Sequence, residues 1–150
     1  GQDDKAIAEC KKAVELDPNS AAGRAWYGAV LYKAGQYEAA VQELEQSVRR
    51  DPMAGTWVLR FLGSAYSFIE HHDKAITTLK KAIEKAPEDY LTRLIIIRAY
   101  IFAGRQEEAE AEAAEVLRIN PKFSLENYAK RMTGKDKERS LEALRRSGLK

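Results

Sequence analysis

Cysteine, histidine and proline are scarce in this chain of 150 residues, which has one cysteine, two histidines and four prolines. The single cysteine, Cys10, excludes an internal disulfide bond, and its apolar neighbours at helical spacing favour a small core residue. No apolar stretch approaches the roughly 18 residues of a membrane-spanning helix, so we expect no membrane insertion. The formal net charge of +2 gives no global attraction to nucleic acid, and we expect none as a partner. We expect a cytoplasmic location.

The four prolines, Pro18, Pro52, Pro87 and Pro121, are spaced almost regularly, at intervals of 34, 35 and 34 residues. A fixed period near 34 residues is typical of helix-turn-helix arrays, in which each unit buries its apolar face by stacking on the next. Proline ends a helix and sets up the turn that follows. The spacing therefore predicts repeated helix pairs and a chain whose role is interaction.

Small residues recur at fixed places within each period. Gly28 and Gly63 lack a side chain, so a partner helix can approach them closely. The small residues that suit the same contact from the other side are Ala6, Ala40, Ala75 and Ala109. Gly35 and Gly104 suit the tight turn between two helices, where a positive φ is often needed. The second period has Glu70-His71-His72-Asp73 in that turn, with no glycine.

These marks resemble the tetratricopeptide repeat family over residues 3–121, as three full repeats after a leading half. The resemblance implies an all-α fold of helix-turn-helix repeats stacked in a right-handed superhelix, with a C-terminal capping helix. It divides the chain into the second helix of a truncated repeat (1–18), three repeats (19–52, 53–87 and 88–121) and a C-terminal capping segment (122–150).

Two departures from the family pattern predict local differences. Ile97 stands where the first-helix glycine is usual, so the two helices of the third repeat should sit further apart. One extra residue between Pro52 and Gly63 should lengthen the loop between the first two repeats. Apolar residues at helical spacing predict helices near residues 3–16, 21–34, 37–50, 56–70, 73–85, 89–103 and 106–119.

The chain after Pro121 does not continue the repeat. Ser124 is a suitable N-cap. The residues Leu125, Tyr128, Ala129 and Met132 then share one helical face, which should cover the exposed end of the third repeat. A second short helix near residues 137–146 offers Leu141 and Leu144 to the same surface. Residues 122–150 contain nine Lys and Arg against four Asp and Glu; we interpret this as a solvated helix face, with nucleic acid or an anionic membrane as the alternative contact.

The sequence of these C-terminal residues, from Leu117-Arg118-Ile119-Asn120-Pro121 to Ser147-Gly148-Leu149, resembles the extreme C-terminus of bacterial class III adenylate/guanylate cyclase-type proteins. It is also similar to the tails of repeat-bearing bacterial regulators without a cyclase domain. The resemblance implies a regulatory region that follows a catalytic domain, and it carries no catalytic residue into this sequence. The chain opens within a helix and Gly1 resembles a cloning remnant, so we expect a fragment of a larger bacterial signalling protein.

The pair His71-His72, followed by Asp73, is the one constellation that suggests chemistry. A stable metal site needs three or four ligands in fixed geometry, and no further histidine is available. We therefore predict a polar turn, no metal and no cofactor. The sequence contains no phosphate-binding glycine loop and suggests no nucleophile–histidine–acid set, so we predict that the chain is not an enzyme.

In this family the first helix of each repeat lines a concave face. The residues that repeat spacing places on that face are Ala25, Ala29, Tyr32, Lys33, Trp57, Arg60, Ser64, Ser67, Leu91, Leu94, Arg98 and Ile101. We hypothesise that Arg60 and Arg98, which are forked cationic donors, engage an acidic side chain or a C-terminal carboxylate of a peptide. The alternative is that both arginines pair with carboxylates of this chain. The carboxylate-clamp subclass that reads chaperone tails needs Lys and Asn where Ala25 and Ala29 stand, which argues against that function.

The expected function is thus a scaffold that binds a peptide or partner protein in the concave groove. The alternative is self-association into a homodimer. Ile7, Cys10 and Val14 would form an exposed apolar face at the start of the chain, and such surface tends to find a partner.

Overall fold

The computed structural model describes all residues from 1 to 150 and contains nine α-helices and no β-strand. The helices are α1 (Gln2–Leu16), α2 (Ala21–Lys33), α3 (Tyr37–Arg50), α4 (Thr56–Phe68), α5 (His72–Lys85), α6 (Tyr90–Phe102), α7 (Gln106–Ile119), α8 (Leu125–Ala129) and α9 (Lys137–Arg146). Each helix predicted within the repeats is present within a few residues of its expected bounds. The prediction of an all-α fold is confirmed.

The helices pack as antiparallel neighbours in the pairs α2–α3, α4–α5 and α6–α7. The close approach expected at Gly28 and Gly63 is present, because a Cβ atom added to either glycine would lie 2.5 Å from the Cγ atom of Leu44 or Leu79. The third repeat has the fully buried Ile97 at the corresponding place. Between α6 and α7 a side chain therefore stands where the other two pairs have a glycine.

The three turns within the pairs share one left-handed residue. Its φ angle is 78° at Gly35, 63° at Glu70 and 75° at Gly104. The second repeat therefore keeps the same turn with a residue other than glycine, at a conformational cost of about 1 kcal/mol or more. The loop between α3 and α4 spans residues 51–55 and is one residue longer than the loops at 17–20 and 86–89, as the extra residue before Gly63 predicts.

The first helices of the three repeats, α2, α4 and α6, lie side by side. We call their side that faces the C-terminal segment the inner wall; its residues include Tyr32, Phe61, Ser64, Phe68 and Arg98. At the other end of the array α1 packs against α2.

The apolar face expected on α1 is largely covered. Val14 is buried, and Ile7 and Cys10 are half-buried. The prediction that these three residues form an exposed apolar face is therefore wrong for Val14 and only partly right for the other two. The reason is the packing of α1 on α2, which covers them from one side.

The C-terminal segment, residues 122–150, covers the third repeat and then extends beyond it. α9 packs on α6, where Leu141 and Leu144 are buried, as the sequence predicts for a cap. The chain between α8 and α9 also reaches the first repeat, because the Tyr37 hydroxyl donates a hydrogen bond of 2.5 Å to Asp136. Tyr128 and Met132 lie beside α6 of the third repeat, as the sequence predicts for the capping face, and Tyr128 also lines a cavity on the inner wall.

None of the nine helices combines the length and the apolar character that a membrane span requires.

Candidate binding cleft

Aromatic rings from neighbouring repeats touch one another along the inner wall. Tyr32 meets Phe61 edge-on with ring centroids 5.1 Å apart, and Tyr37 stacks on Phe68 at 4.5 Å. Trp57 continues the row at one end, where it lies 5.1 Å from Trp26. Aromatic contacts of this kind hold the rings in place, so the inner wall presents a fixed row of flat surfaces.

A buried polar network joins three repeats and the C-terminal segment. Its centre is the guanidinium group of Arg98, which is only 7% exposed. Arg98 donates hydrogen bonds to the hydroxyl groups of Ser64, Ser67 and Ser140. The Ser64 hydroxyl shares a further hydrogen bond of 2.6 Å with Tyr32. The network therefore links α2, α4, α6 and α9 through a single cation.

A cleft of about 780 Å³ opens beside this network, between the inner wall and the C-terminal segment. The wall contributes aromatic side chains and the cations Lys33 and Arg98, and the segment contributes residues 132–137. A second cavity of about 370 Å³ shares Tyr32 and Phe61 with the first and extends to Leu91. Together the two cavities form a trough along the inner wall, divided by the pair Tyr32 and Phe61.

Tyr37 anchors the C-terminal segment at one edge of the cleft. Burial, the hydrogen bond to Asp136 and the negative charge of that carboxylate raise the pKa of Tyr37 well above its usual value. The ammonium group of Lys135 lies 5.2 Å from the centroid of the same ring. The hydroxyl therefore stays protonated at neutral pH and remains a donor to Asp136.

The structure separates the residues predicted for the concave face into two groups. The accessible group contains Tyr32, Lys33, Trp57, Arg60 and the exposed Leu91. The buried group contains Ala25, Ala29, Ser64, Ser67, Leu94, Arg98 and Ile101. The small side chains of Ala25 and Ala29 are buried, whereas Ser64, although also buried, lines the second cavity.

The two arginines of the peptide hypothesis also differ. Arg60 pairs with Asp89 at 3.3 Å. The alternative hypothesis, that the arginine pairs with a carboxylate of this chain, is therefore right for Arg60. Arg98 has no carboxylate within ion-pair distance, and that alternative fails for it.

Sequence reasoning missed several residues of the cleft, among them Phe61, Phe68, Tyr37 and the whole stretch 132–137. A signal for one of them was present, because Phe68 occupies the same place in its repeat as Lys33, which was predicted. No comparable signal exists for residues 132–137, which lie outside the repeats.

No group of three or more His, Cys, Asp or Glu side chains comes together in a way that could hold a metal ion. The His71-His72 turn is included in that finding.

The chain matches the tetratricopeptide repeat family over residues 1–55 and 70–130. No curated protein sequence matches it significantly. Among solved structures it is similar to MamA, with a TM-score of 0.76 and 22% identity over 97% of this chain and 86% of that one. It is also similar to MamA of Desulfovibrio magneticus RS-1, with a TM-score of 0.75 and 17% identity over 99% of this chain and 85% of that one.

A third similar structure is YrrB, described as a TPR protein with an unusual peptide-binding site. Its TM-score is 0.71, with 24% identity over 97% of this chain and 76% of that one. These likenesses show the fold. The sequence match covers well over half of the chain, and the protein therefore belongs to the tetratricopeptide repeat family.

Proposed function

We propose that the chain is a scaffold that binds a peptide or a segment of a partner protein along the inner wall. The observation that carries this proposal is the trough formed by the two cavities, which is lined by aromatic rings and cations that remain accessible. Tyrosine, tryptophan and arginine are enriched where proteins bind one another, because each joins a broad contact area to a polar group. The proposal assigns no catalytic step to the chain.

The shape of the trough favours an extended segment. The smaller cavity is lined mainly by apolar groups, including Leu91, Ile95 and Phe61, and it suits an apolar side chain. The larger cavity lies on the other side of Tyr32 and is lined by more polar groups. A segment that crosses Tyr32 and Phe61 would place an apolar residue on one side and polar residues on the other. YrrB, with a similar fold and a peptide-binding site, supports this type of ligand.

The experiment is a selection of binders from a randomised peptide library against the full chain, followed by measurement of their affinities. Leu91→Asp places a charge in the smaller cavity and should weaken the selected peptides by about tenfold. Leu117→Asp is a matched control, because Leu117 is exposed to a similar extent, 43% against 40%, and lies on α7 outside both cavities. A library that yields no binders, or binders equally sensitive to both changes, would contradict the proposal.

Self-association, the alternative function, has less support from the structure. α1 covers most of its apolar residues against α2, and Leu16 is the large apolar side chain that it leaves exposed. The scaffold proposal expects light scattering to give a monomer at every concentration. A dimer that strengthens with concentration and is lost in Leu16→Asp would favour the alternative.

The resemblance of the tail to cyclase-type proteins adds a proposal about context. In that proposal the scaffold is the regulatory region of a bacterial signalling protein, and the segment bound along the inner wall belongs to a component of the same signalling system. Co-purification of the chain with a nucleotide cyclase domain, reduced by Leu91→Asp and unaffected by Leu117→Asp, would support it.

A further inference from the structure

Arg98 differs from the other arginines that the fold buries. The arginines whose side chains are at least half-buried and paired with a carboxylate are Arg24 with Glu43, Arg60 with Asp89, Arg93 with Glu112 and Arg105 with Glu108. Arg98 is more deeply buried than any of these, and it forms no ion pair. A buried cation without a counter-ion is destabilising by several kcal/mol, so its retention at this position calls for an explanation.

The groups around Arg98 satisfy its hydrogen bonds only in part. Its partners are neutral serine hydroxyl groups, and its Nε atom is buried without a partner. The guanidinium carbon lies 4.2 Å from the centroid of Phe68. The guanidinium carbon of Arg139 lies over the same ring at 5.8 Å, so a second cation lies close to this ring. An anion is the group that this environment lacks.

The larger cavity adjoins Arg98 and has a cationic lining. Lys33, Lys135 and Lys137 line it together with Arg98, and none of the four forms an ion pair. The carboxylates in the lining are Asp3 and Asp136, and Asp136 already accepts the hydrogen bond from Tyr37. Positive charge therefore exceeds negative charge around this space, and a cleft with an excess of one charge attracts ligands of the opposite charge.

The two walls of the cavity come from different parts of the chain. Lys33 belongs to the first repeat and Arg98 to the third, whereas Lys135 and Lys137 belong to the C-terminal segment. The segment is held against the first repeat by Asp136, through Tyr37. The cationic lining is therefore complete only while the C-terminal segment is docked.

We propose that the larger cavity binds an acidic peptide segment, with one carboxylate at Arg98 and with the C-terminal segment as the second wall of the site. This inference rests on the proposed function and names the chemistry of its ligand. A peptide is favoured over a small carboxylic acid because the second cavity adjoins the larger one at Tyr32 and Phe61 and offers further contacts to a longer ligand. Charge-assisted hydrogen bonds to a guanidinium group are among the stronger polar contacts in proteins.

The experiment uses the full chain labelled with ¹⁵N and follows the Nε–H resonance of Arg98 during titration with hexaglutamate. We expect a saturable shift of this resonance and of backbone amides in residues 132–137. Hexaglutamine, which has the same shape without the charge, should produce no saturable shift. Glutarate at the same carboxylate concentration tests whether a small dicarboxylic acid binds the cavity as well as the peptide does. We expect glutarate to bind at least about tenfold more weakly than hexaglutamate. Equal binding of glutarate would overturn the assignment of a peptide.

Three charge reversals at exposed lysines test where the ligand binds without disturbing the core. Lys33→Glu on the inner wall and Lys135→Glu on the C-terminal segment should each weaken hexaglutamate binding by about tenfold. Lys81→Glu on the outer face of α5 is the matched control and should leave binding unchanged. If only Lys33→Glu acts, the C-terminal segment is not a wall of the site and the proposal is wrong in that part.

Tyr37→Phe provides a further check, because it removes the hydrogen bond that docks the segment while leaving every cation in place. The proposal expects weaker binding in this variant. Tighter binding would mean that the segment blocks the cavity, and the proposed second wall would be rejected. If library-selected peptides bind along the inner wall but are not acidic, the scaffold function stands and this inference fails.

Discussion

Arg93 and Arg98 lie on the same helix, five residues apart, and the protein surrounds them in opposite ways. Arg93 donates to Glu112 at 2.7 Å and makes two hydrogen bonds to the carbonyl oxygen of Pro87. Arg98 is more deeply buried and has only hydroxyl partners. Burial alone therefore does not distinguish a structural arginine from a ligand-binding arginine. The distinguishing feature is whether the buried guanidinium group has a carboxylate partner within the chain.

Repetition along the chain supports the same distinction. Arg24 pairs with Glu43 and donates to the carbonyl oxygen of Pro18, so the first repeat reproduces the contacts of Arg93. The second repeat has Leu59 and Thr78 at the two positions of this pair. The position of Arg98, by contrast, holds Ala29 and Ser64 in the earlier repeats. The contact that recurs joins the two helices of one repeat. Arg98 occurs once at its position, so the repeated packing does not require it.

Arg93→Leu should show the largest effect among the changes that test this comparison. It removes the three hydrogen bonds that the charged guanidinium group donates, and it leaves the carboxylate of Glu112 partly buried and unpaired. We expect a loss of about 2 kcal/mol in the free energy of unfolding, measured by urea denaturation. The double variant Arg93→Leu/Glu112→Thr copies the second repeat and should recover at least about half of that loss. No recovery would mean that the ion pair is not the main source of the effect.

Arg24→Leu should follow with about 1 kcal/mol. The ion pair is equivalent, but Arg24 makes one hydrogen bond to Pro18 where Arg93 makes two to Pro87. Hydrogen exchange of the α2 amides in the native state is the sharper measurement, because it reports the stability of the first repeat separately. A loss larger than that of Arg93→Leu would contradict the equivalence of the two contacts.

Tyr37→Phe tests the docking of the C-terminal segment that covers Arg98, and we expect a loss of about 1 kcal/mol. Since the pKa of Tyr37 is raised in the folded state, its contribution is complete below the ordinary tyrosine pKa near 10 and decreases as the pH rises beyond it. The wild-type chain should therefore lose more stability than Tyr37→Phe between pH 9 and 11. Tyr27→Phe is the control for the loss at neutral pH, because no hydrogen bond to the Tyr27 hydroxyl is present and its removal should change stability little there. It is not a control for the alkaline range, because burial raises the pKa of Tyr27 as well.

The part of the fold that the sequence predicts is the part that repeats. Pro18, Pro52, Pro87 and Pro121 mark the ends of the second helices, and the glycines at 28 and 63 mark the close contacts within pairs. The turn at Glu70 follows its neighbours even without glycine, because the packing of α4 on α5 imposes the same backbone path. Local patterns suffice for these features since each repeat contacts mainly its neighbours.

The candidate site was predictable only in part, for the opposite reason. Tyr37 and Asp136 are 99 residues apart in the sequence, and no periodic pattern connects them. The helix predicted after Ser124 is short because the chain turns after Ala129 toward the inner wall. Likewise, repeat spacing places Arg98 on the inner side of α6, but whether a carboxylate lies within reach depends on the positions of all surrounding elements.

Arg98→Met should have the smallest effect on the free energy of unfolding. The direction and size of that effect test whether Arg98, unlike Arg93, is dispensable for the fold. The change removes a buried charge that has no counter-ion and keeps a side chain of similar length, so the desolvation penalty disappears together with the hydrogen bonds. Ser64 keeps its hydrogen bond to Tyr32, and Ser67 keeps the one that it donates to the Ser64 carbonyl oxygen. Only Ser140 loses its partner.

We therefore expect the free energy of unfolding of Arg98→Met to lie within about 1 kcal/mol of the wild-type value, while hexaglutamate binding is lost. Arg93→Leu should give the reverse, with stability lost and binding retained. If Arg98→Met instead destabilises the chain by as much as Arg93→Leu, then the serine hydroxyls and Phe68 are sufficient partners for the buried cation. Arg98 would then be a structural residue, and its burial without a carboxylate would no longer point to a ligand.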